Sequence, residues 1–172
     1  MSSVQQPDSQ PRTSAPAPVR VLFVCMGNIC RSPMAEAVFR SLATRLAPQL
    51  AVEADSAGTH DYHIGHPPDE RAQRIALQHG IDMSALRARR LLKQDFERFD
   101  WILVMDDANL EAAQRLAPPE HRQRVRRLLD YAPHLRLREV PDPYYGTLAD
   151  FERVYQLTEQ AARGLLQALS AG

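Results

Sequence analysis

An apolar run that ends in a short polar turn constrains the fold of this chain more than any other stretch. Residues 21–24 read Val-Leu-Phe-Val, residues 25–32 read Cys-Met-Gly-Asn-Ile-Cys-Arg-Ser, and Pro33 then opens a helical pattern. A strand that is buried on both faces has such a run without alternation, and proline is accepted in the first turn of a helix. The sequence therefore predicts a strand, a loop and a helix, with the loop opening at the helix N-terminus.

The turn has the properties of an anion-binding loop. The first backbone N–H groups of a helix lack an intrahelical partner, and successive loop amides can point into one concavity. Two anions suit it: the thiolate of Cys25, which amide dipoles and Arg31 would stabilise, and a phosphoryl group that Arg31 binds through two oxygens. Gly27 permits torsions closed to other residues, and Asn28 tolerates a left-handed conformation. We expect phosphate-binding contacts from Met26, Gly27, Asn28, Ile29, Cys30, Arg31 and Ser32.

Strands and helices alternate along the rest of the chain. Apolar patterns predict further strands at 51–57, 100–105 and 124–129, and helices from the turn to residue 46 and at 69–79, 107–116 and 148–169, with Gly80 placed to cap one of them. Such alternation favours an α/β fold in three layers, with a four-stranded parallel sheet, helices on both faces and the phosphate-binding loop after the first strand. Ligands bind beyond the carboxyl ends of such strands, where Cys25, Ser56 and Asp106 are expected to converge.

Charge and cysteine content narrow the class of protein. The 21 basic and 21 acidic residues balance, so no global field favours binding to nucleic acid or to an anionic membrane. Both cysteines lie in the turn, which excludes a disulfide framework and implies a reducing compartment. No segment approaches the roughly 20 apolar residues that span a bilayer, and no apolar signal core is seen near residue 1. We predict a cytoplasmic protein without membrane insertion.

The chain is predicted to contain one folded domain. Residues 1–18 are rich in Pro, Ser and Gln and cannot bury enough apolar surface to offset the entropy of ordering, so they are interpreted as a disordered tail. Residues 19–172 are long enough for a single two- or three-layer core.

The turn and four further motifs resemble the low-molecular-weight protein tyrosine phosphatases. Cys25, five residues and then Arg-Ser-Pro match the active-site loop of that family, in which Gly-Asn-Ile-Cys stands in the same order. The other motifs are Asp-Ser-Ala-Gly at 55–58, His-Gly-Ile at 79–81, Met-Asp at 105–106 and Asp-Pro-Tyr-Tyr-Gly at 142–146. The resemblance covers roughly residues 19–170 and implies hydrolysis of protein phosphotyrosine and small aryl phosphates, with no metal and no cofactor.

The resemblance also implies the roles of the catalytic residues. Cys25 would attack phosphorus and form a phosphocysteine, while Arg31 holds the equatorial oxygens. Asp142 lies between two prolines in a stiff loop and would act as general acid, then as base toward water. Ser32 would donate a hydrogen bond to the cysteine sulfur, although a helix N-cap is an alternative role for a serine there.

Several further residues are expected to support the loop. By the resemblance, Asn28 and Ser56 form the polar pair that fixes the loop backbone, and His79 and Asp55 form a buried supporting pair. A structural histidine with satisfied hydrogen bonds is the favoured interpretation of His79. Asp106 is assigned to loop support rather than to chemistry.

Aromatic residues near the acid are expected to bind the substrate ring. Tyr144 and Tyr145 could line a slot deep enough to exclude phosphoserine, and Tyr62 stands where the family often carries tryptophan. Ile29 offers only apolar contact, which fits a phenyl ring, whereas the related arginine phosphatases carry threonine there. A protein arginine phosphatase and an arsenate reductase on the same fold are the alternatives, but the reductase needs downstream cysteines and none follows Cys30. Inorganic phosphate and other oxyanions would compete with the phosphotyrosine substrate.

Three further patterns have competing interpretations. Cys30 stands five residues from Cys25, close enough for a reversible disulfide that would protect the nucleophile, or it is a packed small residue. His60, His63 and His66 invite a metal site, but no cysteine or paired carboxylate completes a ligand set. The arginine-rich runs 87–90 and 122–127 are interpreted as solvated faces, since no aromatic residues interleave with them.

Overall fold

Four parallel strands form one sheet in this computed structural model, which describes residues 17–171. The central strands are β1 (Val19–Cys25) and β3 (Trp101–Val104), and the edges are β2 (Val52–Gly58) and β4 (Val125–Arg127), in the order β2-β1-β3-β4. The predicted four-stranded parallel sheet is therefore confirmed. Most of the predicted tail, residues 1–16, lies outside the described residues.

Within the described residues, five α-helices connect and cover the strands. They are α1 (Arg31–Leu46), α2 (Glu70–Gln78), α3 (Asp95–Arg98), α4 (Asp107–Leu116) and α5 (Leu148–Ala171), with 3-10 segments at Pro119–Arg124, Leu128–Tyr131 and Pro133–Leu135. The bounds predicted for α4 agree with the structure. The strand predicted at 124–129 is shorter than expected, because Leu128 and Leu129 turn into a buried 3-10 segment. Within residues 17–171, no helix is both long and apolar enough to cross a bilayer.

The side chains of β1 divide the interior into two cores. Val21 and Phe23 face a core built with α1 and α5, whereas Leu22 and Val24 face a second core around Phe96 of α3 and residues of α4. All of these strand side chains are fully buried, and each such burial stabilises the fold by about 1.5–3 kcal/mol. Burial on both faces explains the absence of alternation in the sequence and gives the predicted three layers.

Helix α2 is fixed at both ends by its own sequence. At its start the carboxylate of Asp69 accepts the backbone N–H of Arg71 at 2.8 Å, as an N-cap aspartate does. At its end Gly80 has φ +80°, and Ile81 donates its N–H to the carbonyl of Ala76 at 2.9 Å. The predicted capping role of Gly80 is confirmed. Asp69 also donates its backbone N–H to the carbonyl of Ile29 at 2.8 Å, so the start of α2 lies against the loop that follows β1.

Candidate active site

The loop after β1 fits against the end of β2 without room for a side chain. Cys25 pairs in register with Gly58, and Thr59 donates its N–H to the carbonyl of Cys25 at 2.9 Å. A Cβ on Gly58 would lie 2.7 Å from the carbonyl oxygen of Met26, closer than real Cβ atoms approach. The motif at 55–58 that contains this glycine gives no sign of its packing role, which depends on a contact between distant segments.

Asn28 and Gly27 of the loop differ in their backbone conformation. Asn28 has φ +56°, which confirms the predicted left-handed conformation. Gly27 does not have a left-handed φ. A Cβ there would come within 3.0 Å of Cδ2 of His63, so that side chain would have to shift by a few tenths of an ångström to admit alanine.

The sulfur of Cys25 accepts hydrogen bonds at the floor of the site. Cys25 is only 2% exposed, and its Sγ lies 3.3 Å from the N–H of Asn28 and 3.0 Å from Oγ of Ser32. Asn28 accepts the backbone N–H of Arg89 through Oδ1 at 3.0 Å, which orients its Nδ2 to donate to Ser32 Oγ at 2.7 Å. Ser32 then has its single hydroxyl proton left for the sulfur. This relay aims a hydroxyl proton at the sulfur.

Arg31 faces the cavity from the first turn of α1. It is 3% exposed and donates through Nη1 to Asp106 Oδ2 at 2.6 Å and to the carbonyl of Val140 at 3.0 Å. Burial by itself lowers the pKa of Arg31, but the negative charges of Cys25 and Asp106 outweigh burial and keep the pKa above its ordinary value. The guanidinium is therefore charged at neutral pH, and Asp106 holds its orientation.

A cavity of about 330 Å³ opens above the loop. Beyond the loop, the cavity is lined by Tyr62, His63, Asp142, Tyr144 and Tyr145. The acid and the three tyrosines were predicted to lie there, and His63 was not. Asp142 is 40% exposed in its side chain, and its Oδ2 lies 3.8 Å from Nη2 of Arg31. The acid, the arginine and the aromatic residues thus surround the space above Cys25. His63 was missed as a wall residue, since sequence analysis weighed it only as a metal ligand.

The supporting pairs expected from the resemblance are not formed. Ser56 donates its hydroxyl to Oε1 of Glu36 at 2.7 Å, whereas the side chain of Asn28 is hydrogen-bonded to Ser32 and Arg89. Glu36 is 1% exposed, and burial raises its pKa above the ordinary value even though Ser56 and Arg40 act in the opposite direction. Glu36 was not predicted, because its position on the buried face of α1 is the only sequence feature that indicates its role.

His79 and Asp55 lie in separate clusters, so their predicted pairing is wrong. His79 bonds through Nε2 to the carboxylate of Glu152 at 2.8 Å and stacks on the ring of Tyr155 at 3.6 Å, which joins α2 to α5. Asp55 instead accepts from Nε of Arg89 at 3.1 Å. The favoured interpretation, a structural histidine with satisfied hydrogen bonds, agrees with these contacts.

Arg89 is the residue that connects Asp55 to the loop. Its guanidinium binds both oxygens of Asp95 at 3.0 Å as well as Asp55, while its backbone N–H holds Asn28. The interpretation of 87–90 as a solvated face is therefore wrong for Arg89. Nothing in the local pattern separates this arginine from its neighbours, because its partners come from other segments.

Cys30 is buried, and neither it nor the histidines belong to a metal-binding group in the described residues. Cys30 is a buried free thiol at the start of α1, and burial, followed by the charge of Asp69, raises the pKa of that thiol. In the part of the chain that the structure describes, no three His, Cys, Asp or Glu side chains are grouped so that they could hold a metal ion.

Comparison with known proteins agrees with this fold and loop. The profile of the family described as low molecular weight phosphotyrosine protein phosphatase matches residues 20–172. The chain is 43% identical over 151 residues to the low molecular weight protein-tyrosine-phosphatase YfkJ of Bacillus subtilis, covering 88% of this chain and 96% of that protein. It is 46% identical over 149 residues to the low molecular weight phosphotyrosine protein phosphatase of Homo sapiens, covering 86% and 93%.

Solved structures give the same answer. The YfkJ crystal structure superposes with a TM-score of 0.84 at 42% identity, covering 90% of this chain and 96% of that one. Vibrio vulnificus Wzb in complex with benzylphosphonate superposes with a TM-score of 0.77 at 30% identity, covering 88% and 99%. The chain belongs to the low molecular weight phosphotyrosine protein phosphatase family, and the enzyme is a hydrolase of the protein-tyrosine-phosphatase class.

Proposed function

We propose that the enzyme hydrolyses phosphotyrosine in proteins, and small aryl phosphates, through a phosphocysteine intermediate on Cys25. The observation that carries this proposal is the hydroxyl of Ser32, 3.0 Å from the buried sulfur and oriented toward it by Asn28. A donor aimed at a sulfur stabilises a nucleophilic thiolate and also stabilises the same thiolate when it leaves. The charged Arg31 beside the cavity supports binding of a phosphoryl dianion.

In the first step the thiolate attacks phosphorus on the side opposite the ester oxygen. The S–P bond forms as the P–O bond breaks, and Asp142 gives its proton to the leaving phenolate, because a phenol with a pKa of about 10 leaves poorly as an anion. In the second step ionised Asp142 takes a proton from water, the water oxygen attacks phosphorus, and the S–P bond breaks. Arg31 remains on the equatorial oxygens in both steps.

The cavity walls support an aromatic substrate. Tyr62, Tyr144 and Tyr145 line its sides together with the apolar side chain of Ile29, and a phenyl ring gains from such contacts. The structure of Wzb, which has the same fold, is that of a complex with benzylphosphonate. This ligand carries an aromatic ring and a phosphonate group. We therefore propose phosphotyrosine rather than phosphoarginine as the substrate, with inorganic phosphate as a competitive ligand. Faster phosphate release from phosphoarginine peptides than from phosphotyrosine peptides would overturn this choice.

The mechanism is tested with Cys25→Ser, Asp142→Ala and a series of aryl phosphates whose phenols differ in pKa. We expect Cys25→Ser to abolish turnover. Asp142→Ala should lower kcat by about 10²–10⁴-fold for the most basic leaving group and progressively less for better leaving groups. An equal loss for every leaving group would remove Asp142 from the acid role. Thermal unfolding of each variant serves as the control for folding.

We also propose that Cys30 protects the nucleophile. Peroxide would oxidise Cys25 to a sulfenic acid, and the thiol of Cys30 would displace its oxygen as water to form a disulfide that a reducing thiol reopens. Mass spectrometry after mild peroxide treatment should detect the Cys25–Cys30 bridge; sulfinic Cys25 without that bridge would contradict this role. Such reversible oxidation suits the reducing, cytoplasmic location that we propose, where disulfides do not persist.

A further inference from the structure

Arg71 connects the first turn of α2 to the loop that carries Asp142. Its Nη2 donates to the carbonyl of Tyr144 at 2.8 Å and its Nη1 to the carbonyl of Gly146 at 3.3 Å. Its guanidinium also lies over the ring of Phe151, 4.5 Å from the centroid. Within residues 17–171, the side-chain hydrogen bonds that join residues 142–146 to another segment all come from Arg71.

Asp69 connects Arg71 to the phosphate-binding loop. Its carboxylate binds Arg71 in a fork, Oδ1 to Nε at 3.1 Å and Oδ2 to Nη2 at 3.0 Å, and its backbone N–H donates to the carbonyl of Ile29 at 2.8 Å. Such a two-point contact fixes the plane of the guanidinium as well as its position. One short segment therefore bonds to the loop below the cavity and to the loop above it.

The contact reaches the acid itself through Tyr144. Tyr144 accepts a hydrogen bond from Arg71 through its carbonyl and donates its backbone N–H to Oδ1 of Asp142 at 3.1 Å. At the other end of the loop, Val140 is fixed by Arg31 and by the carbonyl of Met105. Asp142 thus lies between two anchored points.

We propose that Asp69 and Arg71 form a brace that positions Asp142 over the phosphate-binding loop, so that proton delivery depends on α2. The proposal rests on the proposed function, since it assumes that Asp142 is the general acid. Arg71 and Asp69 are positioning residues, because they act through Tyr144 and do not line the cavity.

The charge of the brace predicts which kinetic constant changes. The opposite charges of Asp69 and Arg71 cancel, so removing the pair leaves the net charge near the cavity unchanged. Substrate binding should then be little altered, whereas the geometry of proton transfer should suffer. Misplacement of a reacting group by an ångström can cost about 10²-fold in rate.

The test is a double-mutant cycle between Arg71→Met and Asp142→Ala, with Arg74→Met as the matched control on the exposed face of the same helix. Each variant is assayed with phenyl phosphate and with an aryl phosphate whose phenol leaves without a proton. We expect Arg71→Met to lower kcat on phenyl phosphate about 10-fold or more, to affect the good leaving group little, and to have no further effect in the Asp142→Ala background. The double variant Asp69→Asn/Arg71→Met removes both charges and should show the same loss of kcat with KM unchanged.

Other outcomes would overturn the brace in distinguishable ways. A rise in KM of the charge-neutral Asp69→Asn/Arg71→Met variant that persists in the Asp142→Ala background would make the pair part of the substrate-binding site. An equal loss for both leaving groups would indicate damage to the phosphate-binding loop. If Asp142→Ala alone is insensitive to the leaving group, the acid assignment fails first, and the brace fails with it.

Asp69→Asn is a second route to the same answer if Arg71→Met does not fold. Asparagine keeps the N-cap of α2 but loses the ion pair with Arg71. We expect the same selective loss on phenyl phosphate; wild-type kcat on both substrates would overturn the brace.

Discussion

Gly58→Ala tests whether contact with the end of β2 fixes the phosphate-binding loop. The new Cβ would lie 2.7 Å from the carbonyl oxygen of Met26 and 3.2 Å from the backbone N of Asn28. Ordinary contact begins near 3.4 Å, so the Met26 carbonyl must withdraw by about 0.7 Å, the difference between the two distances. The loop cannot withdraw freely, because Thr59 holds Cys25 by a backbone hydrogen bond.

A displacement of this size should reduce kcat/KM about 25-fold, since an ångström of misplacement costs about 10²-fold. Overpacking should also lower the free energy of unfolding by about 1–3 kcal/mol. The assay is phosphate release from phenyl phosphate together with inhibition by inorganic phosphate, whose affinity should fall as well.

Gly80→Ala is the matched control for Gly58→Ala. Gly80 has φ +80° and open space around its Cβ position, so alanine there strains the end of α2 without touching the loop. It should cost about 1 kcal/mol of stability and leave kcat/KM near wild type. The reasoning is refuted if Gly58→Ala retains kcat/KM within twofold, or if Gly80→Ala loses activity to the same extent.

Three other substitutions test the relay and the buried charges. Ser32→Ala removes the donor to the sulfur of Cys25, and a hydrogen bond to a charged group contributes about 1.5–3 kcal/mol, so turnover should fall roughly 10–150-fold; a loss below threefold in a steady-state assay would contradict the relay. Arg89→Met leaves the buried carboxylate of Asp95 without its guanidinium and should lower the free energy of unfolding by about 2–3 kcal/mol in urea denaturation; an unchanged midpoint would count against the network. Burial raises the pKa of Glu36 in the folded state, so the stabilising contribution of its carboxyl is present below the unfolded-state pKa and is lost as pH rises through the folded-state pKa. Glu36→Gln should therefore be more stable than wild type at pH 8 and lose that advantage at acidic pH. An advantage independent of pH would contradict the assignment.

Local sequence signals predicted the parts of the fold that local chemistry determines. Helix α4 was bounded correctly because Asp106 caps its start and two prolines follow its end. The apolar pair at 128–129 was assigned to a strand because a short apolar run has no period that separates a strand from a buried 3-10 turn. Helix α3 has only four residues, too few for a recognisable period.

Side-chain pairings in the site were predictable only where they lie within one loop. The contacts among Cys25, Asn28 and Ser32 follow from a single turn. The partners of His79 and Arg89 come from elements far along the chain, so the order of motifs could not identify them. A motif specifies which residues are present, and only the fold determines which of them meet.

The relay to the sulfur starts from a peptide N–H rather than from a side chain. Every amino acid except proline supplies that N–H at position 89, so the guanidinium can be exchanged while the hydrogen bond to Asn28 persists. Substitutions at residue 89 can therefore change the charge and the stability of that region while the hydroxyl of Ser32 stays aimed at the sulfur of Cys25.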